Sequence, residues 1–431
     1  MRTGIAPAIR FILSGSIMAA KLFAVHTISY RLRRIVLEKR IILVSLVVLG
    51  VTGILGTPAS AVQTRKSITP LLNLSAQHDN NFYKTATNEE GVWTYIIQPG
   101  LEAEIETERS YGSVYYTLDA YYYRGLDEDL DFIGHTFKLD SGTRSRSDKL
   151  HLSLKDTFLR TRDPAELDYL NNTVSTNEYS INRFDPEVLY NFGRASVRLA
   201  YGNVWIDYVQ SGGGEDSTEN RGTAEWKYRF NRANALGLNY QYWNTDYDGP
   251  TSDYDSQQAK VIVERQGKML LLEAGAGWQS REFDEGPLDD ISRFVWDFML
   301  RTKGLKNTEL IFRADSNYNN WSSGSGYFDA TKLAFTVNHD FVADLQGRLY
   351  GSYQKSDYEY SDRDDDTMSF EASLAYTLTR WLTVSGAVGT ESRDSNLDAA
   401  DYDNVYGFAM FSFVYPIGTG SPVISPSPYS R

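Results

Sequence analysis

The chain contains no cysteine and only five histidines among its 431 residues. The lack of cysteine excludes disulfide bonds, thiolate metal sites and cysteine nucleophiles. The few scattered histidines leave little material for a zinc site. After residue 62 the chain also lacks a long apolar run and a helical hydrophobic period, which argues against membrane-spanning helices in this region.

The first 61 residues differ from the rest by their basic and apolar composition. The basic stretch RLRRIVLEKR precedes sixteen apolar or small residues, Ile41 to Gly56, and Ala59-Ser60-Ala61 follows. This order predicts a secretory signal peptide that is cleaved after Ala61, because the apolar run is shorter than the ~20 residues of a spanning helix. An uncleaved anchor is the alternative. The region before the apolar run is long for a signal peptide, so a start at Met1 and a start at Met18 both stay open.

Removal of residues 1–61 leaves 35 basic and 55 acidic residues, a net charge of −20. This charge argues against binding to nucleic acid and to an anionic membrane surface. An exported, acidic chain without cysteine is then expected in the periplasm, outside the cell, or in the outer membrane as a β-barrel.

Residues 62–415 alternate apolar and polar side chains in segments of about ten residues, the pattern of transmembrane β-strands. In WTYIIQPGLEAEIE, Trp93, Tyr95 and Ile97 share one face, and three glutamates lie on the other. Very short connections such as NFGR and LTRW alternate with long acidic ones such as VQSGGGEDSTENRG. Short periplasmic turns and long extracellular loops are typical of an outer-membrane barrel.

We therefore predict an all-β fold over residues 62–415, a transmembrane antiparallel up-and-down barrel of about eighteen strands. Sixteen strands is the alternative, because DFIGHTFKLDSG and TNEYSINRFDPEVLY alternate poorly. Residues 416–431, PIGTGSPVISPSPYSR, are rich in Pro, Ser and Gly and are expected to form an unstructured periplasmic tail.

Four segments resemble a known family: LSAQHDNNFYK, TYIIQPGLEAEIETERSYGSVYYTLDAYYYRG, RFDPEVLYNFGRASVRLAYGNVWIDY and SRDSNLDAADYDNVYGFAMFSFVY. They are similar to the β-barrel outer-membrane porins found with exopolysaccharide-biosynthesis operons. The resemblance covers residues 65–415 and includes a D-N-N-F stretch after the first strand and Asn-flanked final strands. It implies a Gram-negative outer-membrane protein that contacts lipid and helps a polysaccharide, or another small or extended solute, to cross the membrane. Periplasmic export components are possible partners under this resemblance.

Polar residues on the inward faces of the predicted strands are the candidates for a channel lumen, since lumen residues tune selectivity. They are Glu102, Glu104, Glu106, Tyr115, Asp119, Tyr121, Tyr123, Arg194, Arg198, Lys227 and Arg229. An acidic wall facing a basic wall would produce a transverse field, but pairing between neighbouring strands explains the same charges and is favoured. The inward tyrosines either fill the lumen or offer flat surfaces to sugar rings, and filling is favoured.

Two further groups of residues suggest chemistry without completing a motif. The DRDDD cluster lacks the spacing of an EF-hand, so a solvated acidic loop is favoured over a calcium site. Its weak calcium candidates are Asp362, Asp364, Asp365 and Asp366. His151 and Ser153 share the polar face of one strand, and no third partner is evident. We expect no enzymatic activity and no resident metal or cofactor.

Three functions stay open at this point. The first is an outer-membrane conduit that assists exopolysaccharide export. The second is a general or substrate-selective diffusion porin, in which the long loop from Arg160 to Glu178 would fold inward as a constriction. The third is a non-conducting barrel whose acidic loops dock a partner.

Overall fold

The computed structural model describes residues 64–126, 130–162, 177–209, 215–249, 251–284, 289–320, 327–358 and 361–418. The expected signal peptide, the tail beyond residue 418 and most of the loop between Arg160 and Glu178 lie outside these residues. The described residues are mainly β-strand, with one 3-10 turn at Asp398–Ala400. None of their helices is long and apolar enough to cross a membrane.

Eighteen long antiparallel strands and one strand of two residues form a single sheet. The strands are β1 (Arg65–Asp79), β2 (Val92–Glu106), β3 (Ser110–Arg124), β4 (Phe132–Arg144), β5 (Leu150–Thr161), β6 (Tyr179–Asn191), β7 (Ala195–Tyr208), β8 (Ser217–Arg229), β9 (Asn234–Tyr247), β10 (Tyr254–Gln266), β11 (Leu270–Phe283), β12 (Ile291–Leu305), β13 (Thr308–Asn320), β14 (Tyr327–Val342), β15 (Leu345–Tyr358), β16 (Arg363–Thr379), β17 (Leu382–Ser395), β18 (Tyr402–Val414) and β19 (Ile417–Gly418). Each long strand pairs with its neighbours in the chain, and β1 also pairs with β18, so the sheet closes into a barrel. The predicted up-and-down barrel and its count of eighteen strands are confirmed.

The barrel closes slightly beyond the predicted end of the last strand. Leu71 pairs with Val414 in the main ladder between β1 and β18. Ile417 and Gly418 then pair with Ile68 and Ser67 of β1. The first residues of the expected tail therefore contribute to the barrel wall, whereas residues 419–431 lie outside the described part of the chain.

One edge of the barrel carries eight turns of two to five residues, and we call it the short-turn edge. Asn307, in the two-residue turn between β12 and β13, has a φ of 56°, a conformation that asparagine tolerates better than most residues. The opposite edge, called the long-loop edge, carries the acidic segments. Strands continue into these segments, because β16 already begins at Arg363 inside DRDDD.

Side chains alternate between an exposed apolar outer face and a more polar inner face. In β2, Trp93, Tyr95 and Ile97 are exposed. Val92, which precedes Trp93, and Thr94, which lies between Trp93 and Tyr95, are buried. An apolar outer band is the surface that contacts acyl chains in a membrane barrel.

Aromatic side chains on the outer face donate hydrogen bonds to polar side chains on neighbouring strands. The pairs are Tyr201–Asn220 (2.7 Å), Tyr242–Asp255 (2.8 Å), Trp278–Ser292 (2.6 Å) and Tyr353–Asp366 (2.6 Å). Rings with an apolar body and a hydrogen-bonded polar end suit the boundary between hydrocarbon and headgroups. We infer that these pairs form the aromatic girdle on the side of the long-loop edge.

Candidate channel lumen

The inner faces of β6 to β11 line a cavity of about 550 Å³. The guanidinium of Arg221 lies 4.2 Å from the centre of the Trp243 ring, and that of Arg281 lies 4.0 Å from the Tyr254 ring. Both rings are buried, so the arginines cover them. Arg221 also forms an ion pair of 2.9 Å with Glu219. The wall of this cavity therefore presents charged side chains that are held by aromatic rings and by opposite charges.

A larger cavity of about 810 Å³ is lined mainly by the inner faces of β13 to β17. Glu309 accepts hydrogen bonds from Arg301 at 2.7 Å and from Asn338 at 3.2 Å. The guanidinium of Arg348 lies 5.6 Å from the ring of Tyr350, which lines the same cavity. Polar and charged side chains thus line the barrel interior in both regions, as a water-filled lumen requires.

The basic lumen candidates pair with acids on the same or a nearby strand. The pairs are Arg198–Glu187 (3.1 Å), Lys227–Glu225 (3.2 Å), Lys227–Glu264 (3.2 Å) and Arg229–Glu264 (3.5 Å). Arg194 does not lie on an inner strand face, because it is in the turn before β7. These pairs are the arrangement that cross-strand pairing predicts, and they leave less net basic charge for a transverse field.

The acidic candidates on β2 occupy the face opposite to its exposed apolar residues. Glu102 and Glu104 are half-buried and Glu106 is exposed. The Ser67 hydroxyl donates a hydrogen bond of 3.1 Å to Glu104, and Arg65 lies 3.7 Å from Glu106. The three glutamates therefore form a column that is bonded to β1 at two of its positions.

Asp119 is the carboxylate in the middle of β3, and its side chain is only 1% exposed. Gln98 donates a hydrogen bond of 3.0 Å to its Oδ1, and Thr136 donates one of 2.7 Å to its Oδ2. A buried carboxylate is costly unless its oxygens have donors. The donors on β2 and β4 explain why this carboxylate is tolerated.

The three inner tyrosines of β3 lie in two environments. Tyr121 and Tyr123 are buried in a cluster with Val92, Ile96 and Phe132. Tyr115 is half-buried, and the Nζ of Lys138 lies 5.9 Å from its ring centre. Tyr121 and Tyr123 therefore have little surface for a solute, whereas Tyr115 keeps accessible surface.

The DRDDD cluster is mainly strand, not a solvated loop as expected. The alternation along β16 assigns Asp364 and Asp366 to its outer face and Asp365 to its inner face. Asp365 is buried and forms ion pairs with Arg363 at 2.5 Å and with Arg393 at 3.8 Å. These two arginines neutralise the charge of the buried carboxylate. In the described residues, no group of three or more acidic or histidine side chains is placed to hold a metal ion.

His151 and Ser153 lie on the inner alternation of β5. The Nε2 of His151 lies 3.0 Å from the carbonyl oxygen of Asp148 in the adjacent turn. This contact holds the imidazole at the short-turn edge.

Sequence reasoning missed how the D-N-N-F stretch contacts the last strand. The Asn81 side chain donates hydrogen bonds to the carbonyl oxygens of Thr85 at 2.8 Å and of Asp403 at 3.0 Å. Its Oδ1 accepts the Thr85 N–H at 3.0 Å, and Asn404 Oδ1 accepts the Asn81 N–H at 3.2 Å. We call residues 79–85 and 403–405 the clasp. The only sequence signal for it was the presence of Asp-Asn pairs at both ends of the barrel.

The clasp turns the loop between β1 and β2 toward the inner faces of β17 and β18. Lys84 forms an ion pair of 2.7 Å with Glu391, which also accepts a hydrogen bond of 2.5 Å from the Tyr402 hydroxyl. Phe82 contacts the ring of Tyr123 at 5.6 Å. This first loop therefore covers part of the lumen at the long-loop edge.

Asp216 lies in the connection between β7 and β8, outside the strands. Burial raises its pKa to about 6, although the Tyr208 N–H donates a hydrogen bond to it, and the charges of Asp207 and Asp248 raise the pKa further. Asp216 therefore takes up a proton in the folded protein as the pH falls through about 6, well above the range in which an aspartate is usually protonated.

Residues 265–410 match the model of the family described as "Putative beta-barrel porin 2". These 146 residues are about a third of the chain, and over them the chain is similar to β-barrel porins. The match confirms the resemblance at the level of a porin, without the association with exopolysaccharide operons. Together with the closed barrel and its apolar outer band, it places the protein in the outer membrane of a Gram-negative bacterium.

The chain is similar to several solved structures, and the three named here have TM-scores below 0.5. OccK2 (OpdF) of Pseudomonas aeruginosa, in complex with glucuronate, has a TM-score of 0.48 and 13% identity over 83% of this chain and 99% of that chain. OccAB4 of Acinetobacter baumannii has a TM-score of 0.47 and 10% identity over 82% and 99%. A BenF-like porin from Pseudomonas fluorescens Pf-5 has a TM-score of 0.45 and 11% identity over 83% and 99%. No curated protein matches the chain.

Proposed function

We propose that the protein is a diffusion channel that admits small polar solutes of low net charge through its lumen. The observation that supports this proposal is the pair of inner cavities, of about 550 and 810 Å³, with charged and polar side chains in both linings. Charged side chains on the inside of a closed membrane barrel are expected where the interior holds water.

The charges of the lumen wall suggest the class of solute. Arg198, Lys227 and Arg221 each lie within 3.2 Å of a glutamate. Opposite charges this close cancel each other's field over a few ångströms, and salt screens the remainder within ~8 Å. The wall therefore offers hydrogen bonds to a passing solute without a strong attraction for one sign of charge.

Swelling of proteoliposomes tests this proposal. We expect liposomes that contain the folded barrel to swell in neutral monosaccharides faster than in dicarboxylates of similar mass. A dicarboxylate loses more hydration when it enters the lumen, and the paired charges of the wall provide no field that compensates for this loss. Liposomes with heat-denatured protein are the control. Swelling rates that equal the control for every solute contradict the proposal.

A conduit that assists exopolysaccharide export is the second candidate. The observation that favours it is accessible tyrosine surface on the inner face, at the half-buried Tyr115 and Tyr350. Aromatic faces provide apolar contact to sugar rings, and their hydroxyls provide hydrogen bonds. Deletion of the gene is then expected to reduce surface polysaccharide. Normal surface polysaccharide in the deletion strain contradicts this candidate and leaves the diffusion channel intact.

A further inference from the structure

The ladder between β12 and β13 stops before it reaches the long-loop edge. Counted from the short-turn edge, the last pair of this ladder is Trp296 with Ser316. β12 nevertheless continues to Ile291, which pairs with β11, and β13 continues to Asn320, which pairs with β14. The corresponding ladders β6–β7, β8–β9 and β10–β11 reach the ends of their strands. β12 and β13 therefore separate between the Trp296–Ser316 pair and the long-loop edge.

Beyond this point the β13–β14 hairpin lies on the inside of β11 and β12. Strand alternation assigns Tyr318 to the outer face, together with Phe312, which is 39% exposed. β14, which pairs with β13, carries Tyr327 on the same outer face. Tyr327 is nevertheless only 3% exposed. The Tyr327 ring lies 5.6 Å from that of Phe283, and Phe283 belongs to the inner face of β11. Outer-face side chains can contact inner-face side chains of β11 only if this part of the hairpin has moved into the barrel.

The inner faces of β11 and β12 are covered where the hairpin overlies them. Val295 of β12 is 0% exposed, and Gln279 and Arg281 of β11 are also buried. A lumen-facing residue on an open barrel wall would contact water. Their burial is therefore consistent with a second layer of protein on the inside of the wall.

Arg293 connects the wall to the displaced hairpin. This inner-face residue of β12 donates a hydrogen bond of 2.6 Å to the hydroxyl of Ser316. It also forms an ion pair with Asp329 of β14, and its guanidinium lies 4.8 Å from the ring of Tyr318. One arginine thus contacts both strands of the hairpin.

The displaced hairpin forms one side of the cavity of about 550 Å³. Asn317 and Tyr318 of β13 line it together with Arg183, Arg221 and Trp243 of β6, β8 and β9. Tyr318, which strand alternation assigns to the outer face, therefore contributes to the lumen wall. The passage at this level is bounded by the hairpin, and not by the full circumference of the barrel.

We propose that the described end of the β13–β14 hairpin, residues 315–318 and 327–331, is the constriction of the channel, and that Tyr318 determines the size of solute that passes. Arg293 is a positioning residue that holds the hairpin in the lumen. This proposal rests on the proposed channel function, because a constriction limits a flux only where solutes pass. The narrowest section of a pore sets its conductance and its size limit.

Single-channel conductance tests the constriction. We expect Tyr318→Ala to raise the conductance by about half or more, since it widens the narrowest section. Arg293→Ala is expected to act in the same direction by releasing the hairpin. Tyr376→Ala is the matched control, because Tyr376 is an exposed tyrosine on the outer face of β16, and its conductance is expected to equal that of the wild type. Wild-type conductance in Tyr318→Ala overturns the constriction and leaves the channel function standing, whereas a silent wild-type barrel contradicts the channel function itself.

Thiol labelling tests the displaced hairpin without any need for conductance. The chain has no native cysteine, so Val295→Cys supplies a single thiol. We expect a water-soluble maleimide to leave this thiol unlabelled, and to label Met299→Cys, which is four residues closer to the short-turn edge on the same inner face and is half-buried. Adding Arg293→Ala should make residue 295 reactive. Equal labelling at 295 and 299 in the otherwise native barrel overturns the proposal.

A charge exchange distinguishes loss of the Arg293–Asp329 ion pair from general damage to the barrel. Arg293→Asp alone is expected to act like Arg293→Ala, and Arg293→Asp combined with Asp329→Arg is expected to restore wild-type labelling and conductance. Heat-modifiable gel mobility identifies variants that form the barrel. A folded double variant that remains as reactive as the single variant contradicts the role of the ion pair.

Discussion

Asn81→Ala tests whether the clasp stabilises the closed barrel. Asn81 is completely buried, and its side chain makes three hydrogen bonds, two with Thr85 and one with Asp403. Each bond contributes about 1 kcal/mol on balance, and leaving a buried partner unsatisfied costs about 1–3 kcal/mol. Alanine removes all three bonds and leaves the Thr85 N–H and the Asp403 carbonyl without this partner. We therefore expect the free energy of unfolding to fall by about 3 kcal/mol.

Urea titration of the barrel refolded into lipid vesicles, followed by tryptophan fluorescence, measures this change. Asn244→Ala is the matched control, because the hydrogen bonds that the Asn244 side chain donates in the described structure go to Asp246 on its own strand, at 3.3–3.4 Å. We expect this control to lie within about 0.5 kcal/mol of the wild type. If Asn81→Ala is as stable as Asn244→Ala, the clasp does not stabilise the barrel and the reasoning fails.

Three further predictions concern the buried acid, the outer face and the acidic connection. Asp119→Leu should lower the free energy of unfolding by about 2 kcal/mol, because Gln98 and Thr136 lose their acceptor; an unchanged urea midpoint contradicts this. Leu238→Arg should destabilise the barrel in vesicles by about 2–4 kcal/mol if this exposed residue contacts the hydrocarbon, whereas Leu238→Ile should be neutral. The folded pKa of Asp216, about 6, lies above its usual 3.8, so protonation favours the folded state. Its stabilising contribution is complete below pH about 4 and is lost as the pH rises through about 6. Asp216→Asn should therefore stabilise the barrel at pH 8 and be neutral at pH 4, and equal effects at both pH values contradict the assignment.

The period of two along each strand allowed the fold and the two faces of the wall to be predicted. Trp93 and Thr94 occupy opposite faces because successive side chains in a strand alternate, and this rule needs no knowledge of distant residues. The same rule extends into the acidic segments. DRDDD was expected to be a loop from its composition, yet Asp365 lies inside with Arg363 and Arg393 because the strands continue beyond the turn-like sequence.

Features that depend on contacts between distant strands were not predictable. Asn81 and Asn404 are separated by 323 positions and meet only because β1 pairs with β18. Tyr318 has the alternation of an outer residue, and nothing near it in the sequence indicates that the ladder with β12 ends at Ser316. Alternation fixes which side of a strand a residue occupies, whereas the position of the strand relative to the barrel wall is set by ladders and tethers such as Arg293.

The conductance of the wild-type barrel in planar bilayers tests the central claim most directly. Residues 62–431 carry a net charge of −20, which concentrates cations near the channel mouths. We predict discrete ohmic steps with a preference for cations that weakens at high salt. Protein that shows the heat-modifiable mobility of a folded barrel but produces no conductance would contradict the account.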